Sequence, residues 1–107
     1  MGNGNEANGE KLHRALDFVA ESLVDASPQW AKATTQFQIK GLHALIAQEP
    51  ALALMLICNN ISESSRSISR ETYFLLETVG QDLLASPFAC SVGLSHETWE
   101  ELKNQIS

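Results

Sequence analysis

Residues 51–58 read ALALMLIC, eight apolar side chains in a row, entered through Pro50 and closed by Asn59-Asn60. Eight residues fall far short of the roughly 20 that a helix needs to cross a bilayer. A buried strand fits by length, but Ala, Leu and Met favour helix, β-branched residues are scarce, and the chain offers no second strand to pair with it. The stretch therefore reads as a short helix from Pro50 to about Ile61, apolar nearly all round and so buried. Proline can open such a helix but cannot continue the one before it, and it pushes Glu49 out of helical geometry.

Upstream, Leu12, Leu16, Val19, Leu23 and Ala26 step by four, three, four and three, the seam of an amphipathic helix from Glu10 to Ala26. Asp17, Glu21 and Asp25 repeat every fourth residue on another face, a like-charged stripe that disfavours the isolated helix unless something basic faces it. Ser27-Pro28 is a helix-start signal, with a hydroxyl cap followed by proline at the first helical position, and predicts a second helix from Pro28 to Gln48. At 100° per residue, Lys32, Gln36, Lys40 and His43 share one arc of it. Trp30, Ala33, Phe37, Gly41, Ala44 and Leu45 form an apolar side, and Ile39, Leu42 and Ile46 form another. A helix apolar on two sides is central or lies at an interface.

Downstream, SESSRSIS at 62–69 reads as a loop. Ser69 caps a fourth helix, with Ile68 and Tyr73 placed as a hydrophobic staple and Tyr73, Leu75, Leu76, Val79, Gly80, Leu83 and Leu84 as its stripe. Phe74 falls off that stripe and reads as an exposed aromatic contact. Ser86-Pro87 ends the helix, and FACSVG leads to a last one capped by Ser95, with Leu94 and Trp99 as a second staple. The expected fold is all-α: a compact bundle of about five helices with no β-sheet. Residues 10–107 form a single helical domain behind a flexible tail at 1–9, where three Gly and three Asn leave little to pack.

Thirteen acidic against seven basic residues give a net charge of −6, which repels phosphate backbones and anionic membranes. Direct nucleic-acid binding and membrane binding are therefore not expected, and a protein is the expected partner. The tail has neither a basic nor an apolar signal region, and Glu6 stands where a myristoylated Gly2 would want Ser or Thr. Cys58 and Cys90 lie far apart in apolar settings, as suits reduced thiols in a cytoplasmic protein rather than a disulfide framework.

No catalytic constellation stands out. His13, His43, His96, Cys58 and Cys90 have no metal-ligand spacing, Cys58 has no base beside it, and the carboxylates fall on amphipathic surface stripes. Neither a cofactor nor a metal is expected, and the chain reads as a non-enzyme. Arg66, Ser67, Ser69 and Arg70 gather where the fourth helix starts, a possible anion-binding corner.

The expectation is a non-catalytic helical protein acting through protein contacts as a small regulator, adaptor or inhibitor, most simply as a homodimer. Its contact residues would be the acidic stripe Asp17, Glu21 and Asp25 and the helix-two set Trp30, Lys32, Phe37 and Lys40, with the stripe of one chain docking on the lysine arc of another. The alternative is an acidic decoy of the phage or mobile-element type, whose carboxylates imitate phosphates and occupy a nucleic-acid-binding protein.

Overall fold

The computed structural model describes residues 4–86 and 92–107. Its helices are α1 (Gly4–Ala26), α2 (Lys32–Gln48), α3 (Pro50–Ser64), α4 (Arg70–Leu84) and the single turn α5 (Glu97–Glu100). Short 3-10 turns precede α2 (Gln29–Ala31) and follow α5 (Glu101–Gln105). The fold is all-α, and the described residues contain no strand, only an isolated parallel bridge between Ile68 and Ile106. Gly2, Pro87 of the helix-stop signal and Cys90 lie outside the described residues.

The ALALMLIC helix is the middle of the bundle. Ala51, Ala53, Leu54, Ile57, Cys58 and Ile61 are buried, and α3 packs against α1, α2 and α4. Leu12, Ala15, Leu16, Val19 and Leu23 of α1 close over it, as do Ile39, Leu42 and Ile46 of α2 and Leu75, Leu76 and Val79 of α4. Each Leu or Ile so enclosed contributes about 1.5–3 kcal/mol of transfer free energy. Glu49 has φ −140° and ψ 76°, the break that Pro50 imposes, and Pro50 then opens α3.

Several boundaries depart from the sequence reading, each for a visible reason. Helix α1 begins at Gly4, inside the expected 1–9 tail, and Asn8 is buried with its side-chain amide donating to the Asp82 carboxylate at 2.6 Å. Ser27 does not cap α2. Its hydroxyl donates to the Leu23 carbonyl and meets the Thr35 hydroxyl at 2.6 Å, while Pro28 stays extended and a 3-10 turn intervenes. The third helix runs on through Ser64 before Ser65 turns left-handed (φ 56°).

Ser69 does cap α4, accepting from the Thr72 backbone N–H at 3.1 Å. Ser95 does not cap α5; its own N–H donates to the Thr98 hydroxyl instead. The last segment stays short and tight because its end is drawn into tertiary pairing. The Ile68 N–H donates to the Gln105 carbonyl, the Ser107 N–H to the Ile68 carbonyl, and the Gln105 side chain to the carbonyls of Ile61 and Arg66. The C-terminus thus ties down the α3–α4 loop.

Trp99 is the largest fully buried side chain, 1% exposed, and the six-membered part of its ring sits against α4 at Gly80. Only a residue without a Cβ leaves room for the ring.

Candidate functional site

Two features of the surface have the chemistry to do something: the outer face of α2 and a cleft at the end of the bundle where α2 turns into α3.

The inner face of α2 joins the core, and its opposite face is open to solvent. Trp30 is 85% and Phe37 77% exposed, and Ala33, Gly41 and Ala44 on the same line are exposed too. Ala33, Phe37, Gly41 and Ala44 follow the three-four spacing of a helix–helix seam along α2, and Trp30 stands in the 3-10 turn just before it. Nothing lies within 4 Å of the place where a Cβ on Gly41 would sit. Two large rings thus alternate with three small residues along one line. Exposed aromatics in such a row are the unusual observation, since single exposed apolar residues are ordinary.

Part of the expected acidic stripe and part of the lysine arc are engaged within the chain itself, though not against each other. Lys32 reaches back to donate to the Val24 carbonyl at 3.0 Å, supplying at the C-terminal end of α1 the positive charge that its own last turn lacks. Asp17 lies 3.2 Å from His43 Nε2 of α2. Glu21, Asp25 and Lys40 are exposed. Two of the residues expected to meet a second chain therefore already have partners in their own.

Phe74 is 62% exposed, as its place off the α4 stripe implies, and Phe18 of α1 is 47% exposed. Arg66, Ser67, Ser69 and Arg70 are all at the surface, and several backbone donors at that corner are engaged within the chain. The Arg66 N–H turns to the Ser64 hydroxyl, the Ile68 N–H to the Gln105 carbonyl, and the Thr72 N–H to Ser69.

The cleft, about 760 Å³ in volume, opens between the N-terminal part of α1 and the α2–α3 joint. Ile46, Ala51, Leu52, Leu83 and Val92 supply apolar wall, and Glu10, Glu49 and His13 are its ionisable lining residues. Behind His13 stands a relay. His13 Nδ1 and His43 Nδ1 are 2.7 Å apart with ring planes 9° from parallel and centroids 5.0 Å apart, so the rings meet edge to edge, nitrogen to nitrogen. Asp17 then holds the far nitrogen of His43. Thirty residues separate the two histidines, and no local spacing signals the pair.

Cys58 is buried, and its burial pushes the thiol up to about 12, so it is a core residue without nucleophilic character. Among the described residues no group of three or more His, Cys, Asp or Glu side chains is arranged to hold a metal ion. Among the described residues no helix is long and apolar enough to cross a membrane. The chain matches no protein-family model, no curated protein and no solved structure.

Proposed function

We propose that this is a non-catalytic helical protein that acts through protein–protein contact as a small regulator, adaptor or inhibitor, and that it forms a homodimer through the outer face of α2. The exposed line Trp30, Ala33, Phe37, Gly41 and Ala44 carries this reading. An antiparallel pair of α2 helices crossing at Phe37 sets Ala33 of each chain opposite Gly41 of the other and brings Trp30, in the 3-10 turn just before α2, toward Ala44 of the other. Trp30 meets a small residue, the Ala33 and Gly41 positions let the helices approach closely, and the two Phe37 rings meet at the crossing, so the same patch pairs with itself under a two-fold axis, as an isologous interface requires. The helix also carries no acidic residue between Asp25 and Glu49 in a chain of net charge −6, so two copies meet there without opposing carboxylates. In that register the two Lys40 side chains are offset by about 9 Å along the helix axis, at 1.5 Å rise per residue, and do not face each other.

Trp and aromatic anchors of this kind contribute a disproportionate share of interface energy. Light scattering coupled to size exclusion tests the reading: a dimer is expected at tens of micromolar, and Phe37→Glu is expected to give a monomer with unchanged helical circular dichroism, because the side chain contributes little to its own core. A wild-type chain that stays strictly monomeric, or a dimer indifferent to Phe37→Glu, overturns it.

A further inference from the structure

We infer that the cleft at the α2–α3 joint is a binding site for a small amphiphilic cation, an ammonium with an apolar body. The cleft's volume of about 760 Å³ falls in the range of small-molecule sites, and its wall of Ile46, Ala51, Leu52 and Leu83 suits an apolar chain. Both carboxylates of the lining, Glu10 and Glu49, are exposed at its rim, and among the described lining residues none is Lys or Arg. A cation gains there and an anion is repelled.

His13 lines the cleft with its Nδ1 2.7 Å from His43 Nδ1, and Asp17 stands 3.2 Å from His43 Nε2, so a third carboxylate is coupled to the cleft wall through the histidine pair. All three carboxylates bias the cleft toward a cation.

None of Trp30, Ala33, Phe37, Gly41 or Ala44 lines the cleft, so this site stands or falls separately from the dimer. The test uses three probes of equal chain length, octylammonium, octanol and octanoate, titrated at up to low millimolar into the full chain by calorimetry and methyl NMR. Octylammonium is expected to bind and to shift the methyl signals of Ile46, Leu52 and Leu83, with octanoate weaker by about tenfold or more, or about 1.4 kcal/mol. Ala47→Trp, at an exposed lining position, is expected to fill the cleft and abolish binding while leaving the helical signal intact. Glu10→Gln with Glu49→Gln is expected to weaken binding several-fold and flatten its salt dependence. Failure of octylammonium to bind, octanoate or octanol binding as well as it does, or binding that survives Ala47→Trp overturns the inference.

Discussion

Replacing Gly80 by Ala tests the packing of this bundle at its tightest point. Taken alone, the change favours the helix, because Ala is better than Gly in a helix interior by about 1 kcal/mol. The tertiary structure reverses the sign. A Cβ at position 80 would lie 2.8 Å from Cη2 of Trp99 and closer still to Cζ3 and Cε3. The obstacle is a rigid ring, 1% exposed, with no solvent to retreat into, rather than the free end of a flexible chain. Overpacking of a filled core costs about 1–3 kcal/mol, and three ring atoms inside contact distance place this case at the upper end.

Setting about 3 kcal/mol of strain against about 1 kcal/mol of helix gain leaves a net loss near 2 kcal/mol. For a domain of this size that lowers Tm by about 8–16 °C. Urea unfolding followed by circular dichroism measures it directly. The same substitution in a Trp99→Leu background isolates the cause: with the ring gone, Gly80→Ala should cost nothing or turn stabilising, giving a coupling of about 3 kcal/mol between the two sites. A Gly80→Ala protein as stable as wild type, or an equal loss in both backgrounds, refutes the reasoning.

Other outcomes follow from the same structure. Gly41→Ala, where nothing lies within 4 Å of the added carbon, should raise stability by about 0.5–1 kcal/mol in dilute protein, the opposite sign to Gly80→Ala; a loss there would mean that α2 is not exposed along this line. The Tyr73 hydroxyl is buried with no hydrogen-bond partner among the described residues, so Tyr73→Phe should leave the urea midpoint unchanged or higher, and a loss above about 1 kcal/mol would reveal a partner for that oxygen. Cys58, pushed from 9.0 up to about 12 by burial, keeps its proton in the folded chain while the unfolded chain releases it. Stability from this group is complete below pH 9 and falls as pH rises toward 12, by about 1.4 kcal/mol per unit. Cys58→Ala should therefore show a shallower alkaline decline than wild type, and equal slopes would refute it. Native Cys58 should also resist thiol reagents at pH 8 until the chain unfolds.

Features governed by neighbours three or four residues away were legible in the sequence. The ALALMLIC core helix, the α1 seam from Leu12 to Leu23, the Ser69 cap and the outward Phe74 follow from local spacing and are where that spacing put them, whereas Ala26 at the end of the seam and Leu56 within the apolar run are exposed. Signals that depended on a side chain choosing among partners were less reliable. Ser27 and Ser95 have the cap identity but not the cap role, because Thr35 and the Leu23 carbonyl engage the first and the Thr98 hydroxyl takes the N–H of the second. Asn8 reads as tail and is buried, since its amide donates to Asp82, 74 residues away.

By itself, then, the sequence determined the helices, the greasy centre and the two-sided character of α2, because hydrophobic periodicity is a property of a single helix. Only the tertiary structure decided which side of α2 stays open, that Lys32 and Asp17 turn inward to their own chain, and that His13 meets His43 beside an acid-rimmed cleft. Those facts depend on how far each helix is rotated against its neighbours, and that rotation is settled by the packing of the whole core rather than by any one stretch of chain.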